Sequence, residues 1–504
     1  MKVTTMKILM KINTIEIMTI SKTMKVLTRL TAGLTRYAVA LACLSTLLPC
    51  SAADAPKPPL RAKTELDEYL SKKDPEYAWS VVAAAKADHT STLLIELTSQ
   101  KWLDEARVDR PIWKHWLTIV VPHEPKTDHV FLFVGGGSNA GGPPSKPEDS
   151  TVAVAHGTRS IVAELRMIPN QPLVFEGDGN PRKEDDLIAY AWVRFMQTGD
   201  PEWLPRLPMV KSVVRAMDTV EAAVREKFSI DAKKFVVAGG SKRGWTTWLS
   251  GVDPRVVAIA PIVIDVVNVR TSMEHHFAAY GFWAPAVGDY VRHGVIEWHS
   301  TPEYERLLGI SDPYAYRHRL KQPKFLVNAS GDQFFLPDSS QFYLGDLAGE
   351  RYLRYVPNAD HSLKGSDAIE SLAAWFLSVA TDTPRPKFQW THRADNGFRV
   401  SAETAPKEVR IWSALNPDAR DFRVETLGRV WESRVLEAGA DGSWLGEVEK
   451  PAKGWRAFFV ELSFDGVEGA PLKFTTDVRV VPDTLPHADK LEELLKRLRA
   501  GTGR

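Results

Sequence analysis

Cysteine is almost missing from this sequence. The 504 residues contain 2, Cys43 and Cys50, both within the first tenth of the chain. A disulfide framework is therefore excluded, and the rest of the chain must be held by core packing. An excess of one charge is also lacking. The 64 Lys and Arg face 63 Asp and Glu, a net charge of +1, so nothing points to a nucleic-acid binder. No apolar run approaches the roughly 20 residues of a transmembrane helix. Internal repeats and low-complexity tracts are absent too. With 44% hydrophobic and 25% charged residues, the composition is that of a globular protein with a sizeable core.

The N-terminus reads as an address. Residues 1–53 hold seven basic residues and one acid, Glu16. From Met24 the order is basic residues, an apolar run over 37–48, then Ser51, Ala52 and Ala53. That order predicts a secretory signal peptide. The stretch before Met24 reads as an over-extended start, with Met24 the initiator. A single membrane anchor is the alternative, and the apolar run is short for it. Taking the seven basic residues and one acid from the totals of 64 and 63 leaves 57 and 62, a net charge of −5. It also leaves no cysteine, hence no thiolate nucleophile and no thiolate metal site. A periplasmic or secreted protein without a lasting membrane anchor is expected.

Residues 54–63 form a Pro- and Ala-rich tail. Over 64–384, strand-like and helix-like segments alternate. The strand candidates are 116–121, 130–134, 160–165, 234–238, 256–264, 324–329 and 351–356. Several are continuous apolar runs, as in strands buried on both faces. Helical patterns cover 185–197, 209–228 and 366–380. The alternation predicts an α/β fold with a doubly wound, mostly parallel sheet. An insert over about 270–320, rich in aromatics and histidine, reads either as a cap over the sheet's active edge or as ordinary packing helices. From 387 to 485 the pattern changes to short strands at 388–391, 398–402, 408–412, 422–426, 455–464 and 472–481. That spacing predicts a β-sandwich of immunoglobulin or fibronectin type. A helical tail follows over 486–504.

The sharpest local signal is Gly239-Gly240-Ser241-Lys242-Arg243-Gly244, placed after an apolar strand and before a helical pattern. A serine in a tight strand-to-helix turn with small neighbours is a nucleophile elbow. The strict G-x-S-x-G pattern is broken by Arg243, with Gly244 one position late. Two later loops supply the partners. Asp332 follows the strand at 324–329, and His361 follows the strand at 351–356. Serine, acid and base in that order match a Ser-Asp-His hydrolase. Asp338 is a rival acid. The oxyanion hole is expected from the backbone N–H of Lys242 and from the glycine loop after 130–134, at Gly136 and Gly137. Arg243, Trp245, Arg270 and Trp283 are candidate substrate contacts, with the cations free either to bind an anion or to pair with local acids. Glu184, Asp185 and Asp186 read as acids at a helix start rather than as a metal cluster. No metal and no cofactor are expected.

These residues also carry a family resemblance. The run Val237-Ala-Gly-Gly-Ser241-Lys-Arg-Gly-Trp-Thr-Thr-Trp, with Gly135-Gly-Gly-Ser-Asn139, Glu184-Asp-Asp-Leu-Ile-Ala-Tyr-Ala-Trp192 and Asn328-Ala-Ser-Gly-Asp332-Gln-Phe-Phe-Leu-Pro-Asp338, resembles the PhoPQ-activated pathogenicity-related protein family. The resemblance implies an exported protein with an α/β-hydrolase domain and a β-rich C-terminal domain. The serine motif is also similar to that of secreted carbohydrate esterases, including glucuronoyl esterases. In those an arginine directly follows the serine, where this chain has Lys242. The expectation is a serine esterase acting on a polar, small-molecule or glycan-derived carboxylic ester. A serine peptidase of prolyl-oligopeptidase type and a non-catalytic surface or signalling protein are the alternatives.

Overall fold

The computed structural model describes residues 63–394 and 396–501. The expected signal peptide, the tail as far as residue 62, and both cysteines lie outside the described residues.

Nine strands make the main sheet: β1 (Ala78–Lys86), β2 (Thr90–Lys101), β3 (Ile112–Pro122), β4 (His129–Val134), β5 (Ile161–Leu165), β6 (Lys234–Gly240), β7 (Val256–Ile262), β8 (Lys324–Ala329) and β9 (Arg351–Val356). Their order is β1-β2-β3-β5-β4-β6-β7-β8-β9. The first four in that order pair antiparallel, and from β5 onward every pairing is parallel. Residues on both faces of β5, β6 and β8 are buried, which explains why their sequences are mostly apolar and do not alternate. Helices Glu184–Thr198 and Arg206–Phe228 connect β5 to β6, and helix Ala368–Ala380 follows β9. This is the mostly parallel α/β sheet that the alternation predicts, of the α/β-hydrolase kind that the family resemblance implies.

Strands β1 and β2 have no counterpart in the sequence reading. β1 is mostly exposed and ends in an alanine run, so it lacks the pattern of a buried strand. β2 alternates buried and partly exposed residues and pairs β1 to the rest of the sheet.

The C-terminal strands form two further antiparallel sheets. One contains β10 (Phe388–Arg393), β11 (Gly397–Ala402) and β14 (Trp444–Glu447). The other contains β12 (Glu408–Asn416), β13 (Glu432–Val435), β15 (Trp455–Asp465), β16 (Pro471–Thr475) and β17 (Arg479–Val481). Phe398 on β11 meets Phe458 on β15 edge to face at 5.4 Å, so the sheets bury a shared apolar layer. That layer runs on into the main sheet through Phe474, which lies 5.5 Å from Phe325 and 4.3 Å from Tyr352. Residues 63–501 thus form one compact unit.

One expected strand is corrected. Residues 422–426 are not extended; Val424–Leu427 is a helical turn. Val424 N–H donates to the Gly331 carbonyl at 3.0 Å, which ties the segment to a loop of the main sheet and takes it out of the C-terminal ladder.

The insert between β7 and β8 contains helices Val269–Tyr280, Gly288–Arg292 and Pro302–Ser311. No described helix is long and apolar enough to cross a membrane.

Candidate active site

Ser241 stands between β6 and helix Lys242–Ser250 with φ 58° and ψ −124°, a backbone conformation that is strained for a residue with a side chain. Its N–H donates to the Ile262 carbonyl at 2.8 Å, and its carbonyl accepts from Trp245 N–H at 3.0 Å. The flanking glycines are required by close packing. A Cβ on Gly239 would lie 2.9 Å from the Arg243 carbonyl oxygen, and one on Gly244 would lie 2.8 Å from the Ile262 oxygen. Gly244, late by one position in sequence, is therefore the residue on which helix and strand close.

The loops after β8 and β9 meet at Asp332 and His361. His361 Nδ1 lies 2.7 Å from Asp332 Oδ2. Asp332 is 4% exposed, and its Oδ1 accepts from Phe334 N–H at 2.7 Å. The His361 N–H donates to Gln333 Oε1 at 3.1 Å, and its ring packs on Phe334 with centroids 4.4 Å apart. Its Nε2 is buried and has no hydrogen-bond partner among the described residues, Ser241 included. Such contacts commonly tighten only when substrate binds.

Asp338 is held elsewhere. Arg420 Nη2 lies 2.6 Å from Asp338 Oδ2, and His275 Nε2 lies 3.1 Å from each carboxylate oxygen. Burial works against its charge, but Arg420 and His275 outweigh it and hold the carboxyl far below its ordinary range. Asp332, not Asp338, is the acid that meets His361.

The glycine loop after β4 lies beside the segment that follows β5. Gly135 N–H donates to the Leu165 carbonyl at 2.7 Å, and the Gly136 carbonyl accepts from Met167 N–H at 2.9 Å. Gly137 has φ 136°, a left-handed conformation that favours glycine. A Cβ on Gly136 would lie 2.7 Å from Arg243 Nη2, so this glycine sits directly on the guanidinium.

That position corrects the expectation for Arg243. Its Nη1 and Nη2 donate to Glu184 at 2.9 and 2.6 Å, and its Nε to the Ile168 carbonyl at 2.5 Å. All three nitrogens are engaged, and the side chain braces the glycine loop. Lys242 Nζ pairs with Asp185 at 2.7 Å and Glu184 at 3.3 Å. Burial opposes ionisation of Glu184, yet Arg243 and Lys242 hold it at about 2. Asp186 turns away to His293 and Arg292. The three helix-start acids are thus partners of cations.

A cavity of about 70 Å³ opens beside Ser241. Lys242, Trp245, Phe334 and Phe335 line it from the main sheet's loops and helices, and Met273, Tyr290 and Tyr304 line it from the insert. The insert does cover the edge that carries Ser241. Trp245 lines the cavity as expected and donates Nε1–H to the Ser311 carbonyl at 2.6 Å. Arg270 and Trp283 are corrected: neither lines the cavity. Arg270 pairs with Glu305 at 2.8 Å, and Trp283 packs on His276 and Phe277. Sequence reasoning missed Arg206, which lines the cavity at 1% exposure, and the Phe334–Phe335 pair. The phenylalanines had a signal, since they lie two and three residues after Asp332. Arg206 had none, because only the folded chain shows it to be buried.

The loops are also tied to the segment between β12 and β13. Trp431 N–H donates to Asn358 Oδ1 at 2.9 Å, and Asn358 Nδ2 donates back to the Trp431 carbonyl at 2.9 Å. With the Val424–Gly331 bond, both the Asp332 loop and the His361 loop are anchored to residues 424–431.

Comparison with known proteins gives three kinds of match. The family described as PhoPQ-activated pathogenicity-related protein matches residues 66–423. Autocrine proliferation repressor protein A of Dictyostelium discoideum is 39% identical over 453 residues, covering 84% of this chain and 91% of that protein. Among solved structures, acetyl xylan esterase 1 from Thermoanaerobacterium sp. is 17% identical, with a TM-score of 0.43 over 62% of this chain and 92% of that chain. A glucuronoyl esterase from Solibacter usitatus is 13% identical, with a TM-score of 0.37 over 63% of this chain and 91% of that chain.

Proposed function

The chain belongs to the PhoPQ-activated pathogenicity-related protein family, and from that premise we propose that it is an exported serine hydrolase acting on a polar carboxylic ester. The observation that carries this reading is the 2.7 Å His361–Asp332 pair, held on neighbouring strand ends with the strained Ser241 elbow and its cavity. Ser241 Oγ attacks the ester carbonyl carbon while His361 Nε2 takes its proton. Asp332 holds the Nδ1–H and stabilises the imidazolium. The oxyanion is received by the backbone N–H of Lys242 and by a glycine N–H at Gly136 or Gly137. Collapse expels the alcohol, which takes the proton from His361 and leaves an acyl-serine. Water then repeats the sequence and releases the acid. The small cavity supports a short acyl group. The signal-like N-terminus supports export.

The test is labelling of the protein with a fluorophosphonate probe beside Ser241→Ala, followed by short-acyl nitrophenyl esters against peptide anilides. Serine-dependent labelling and ester turnover are expected. Turnover of the anilides alone would make it a peptidase. Equal labelling of both proteins would place the reactive serine elsewhere. Labelling of neither would overturn the enzyme reading. It would favour a second one, to which the name of the Dictyostelium relative points: a non-catalytic repressor of proliferation.

A further inference from the structure

The wall of the Ser241 cavity contains an arginine whose hydrogen bonds are incomplete. Arg206 is 1% exposed and begins helix Arg206–Phe228. Its Nη1 donates to the Lys242 carbonyl at 3.1 Å, and its guanidinium lies over the Trp245 ring at 4.6 Å. Its Nε and Nη2 have no hydrogen-bond partner among the described residues. A buried charged group left with unpaired donors is costly, and proteins rarely keep one without use.

The two unpaired nitrogens form one edge of the guanidinium. That edge presents two parallel N–H groups at the spacing of a carboxylate's oxygens. The surrounding charge points the same way. Arg206, Lys242 and Arg243 are three cations, and Glu184 and Asp185 are the two carboxylates that pair with the latter two. Tyr290 adds a hydroxyl that donates to Asp185 at 3.0 Å, so Asp185 is already satisfied. Burial pulls Arg206 down to about 10, which leaves it charged at neutral pH. The local balance is one positive charge, beside the nucleophile, in a cavity that the paired Asp185 and Lys242 also line and whose remaining walls are mostly apolar, among them Trp192, Trp245, Val269 and Met273.

We propose that Arg206 binds a carboxylate of the substrate, so that the preferred ester carries a free acid group close to the bond that Ser241 attacks. Arg206 is then a specificity residue, since it touches the substrate and not the reacting carbonyl. The inference rests on the hydrolase reading above but is tested separately from it.

Binding is measured first, on Ser241→Ala protein, by calorimetry with succinate and with its uncharged counterpart succinamide. Succinate is expected to bind about tenfold or more tightly than succinamide, the range for hydrogen bonds to a charged group. Equal affinity for the two overturns the proposal whether or not the protein is an enzyme. The Arg206→Met change in the same background is expected to abolish the difference, and Arg206→Lys to restore part of it. Retention of the full difference in a folded Arg206→Met protein, checked by near-UV circular dichroism, also overturns the proposal. Turnover is measured next with 4-nitrophenyl acetate, mono-4-nitrophenyl succinate, 4-acetoxybenzoate and methyl 4-acetoxybenzoate. One of the two acidic esters is expected to gain about tenfold in kcat/KM relative to its neutral counterpart, 4-nitrophenyl acetate for the succinate and methyl 4-acetoxybenzoate for 4-acetoxybenzoate, and which one gains identifies the half that carries the acid. In Arg206→Met, loss confined to that ester supports the specificity role. Equal loss on all the esters would mark Arg206 as merely structural. Failure of fluorophosphonate labelling strikes the hydrolase reading and leaves the succinate comparison standing.

Discussion

Asp332 and Asp338 stand six residues apart in one loop and face different histidines. Asp332 meets His361 at 2.7 Å, while Asp338 meets His275 at 3.1 Å and Arg420 at 2.6 Å. Replacing either one therefore has a different consequence. Asp332→Asn is expected to lower kcat on a nitrophenyl ester by about 10⁴ with little change in melting temperature, because the imidazole loses its orienting carboxylate. Asp338→Asn is expected to retain activity per folded molecule but to lose about 3 kcal/mol of stability, because Arg420 is left buried without its counter-charge. Steady-state kinetics and urea unfolding of the two variants separate the roles. Loss of turnover in Asp338→Asn with Asp332→Asn active would reverse the assignment.

Arg243 acts on the glycine loop through contact. Arg243→Met removes the hold on Glu184 and on the Ile168 carbonyl and frees Gly136 to move. The expected result is a fall in kcat of roughly 10- to 100-fold with KM nearly unchanged, less than outright loss of an oxyanion donor. Arg243→Lys is expected to rescue poorly, since an ammonium cannot reproduce the two-point grip on Glu184. A rise in KM at constant kcat would instead make Arg243 a substrate contact.

Asp265 gives the protein a pH dependence outside the active centre. It accepts hydrogen bonds from Tyr343 at 2.7 Å and Tyr355 at 2.5 Å. Burial raises its carboxyl to about 7, against the pull of both tyrosines. The unfolded chain loses this proton near the ordinary value of 3.8. Between about pH 4 and pH 7 the folded state therefore binds the extra proton, and stability falls as pH rises through that window. Asp265→Asn removes the titration. Its melting temperature is expected to decline less than that of the unaltered protein from pH 4 to pH 7. Parallel curves for the two proteins would rule out the assignment.

Gly331 reports on the tie between the Asp332 loop and the helical turn Val424–Leu427. A Cβ there would overlap Val424 Cγ2 and lie 3.1 Å from the Val424 nitrogen. Gly331→Ala is expected to cost about 1–3 kcal/mol, as overpacking does. Adding Val424→Ala removes the overlapping methyl, so the double variant is expected to be more stable than the sum of the single changes allows. Strict additivity in urea unfolding would show that the contact is slack.

Much of this arrangement was legible in the sequence because parallel strands announce themselves. Lys234–Gly240, Lys324–Ala329 and Arg351–Val356 are short, mostly apolar or aromatic segments, and Ser241, Asp332 and His361 each lie just beyond one of them. What was not legible depends on partners distant in the chain. Asp332 and Asp338 differ because Arg420, 82 residues beyond Asp338, claims one of them. Arg243 stayed open between binding an anion and pairing with an acid because its partner, Glu184, lies 59 residues earlier. Residues 422–426 have the composition of a strand, but the bond from Val424 to Gly331 outweighs a pattern that short.

The anchoring of Asn358 to Trp431 and of Gly331 to Val424 bears on the order in which the protein matures. Ribosomal synthesis delivers Ser241, Asp332 and His361 long before residues 424–431. The two loops that carry Asp332 and His361 gain these braces only after that segment has been made and has folded back. A nascent chain long enough to contain Ser241, Asp332 and His361 still lacks the segment that ties the Asp332 and His361 loops down, and that segment closes the arrangement last.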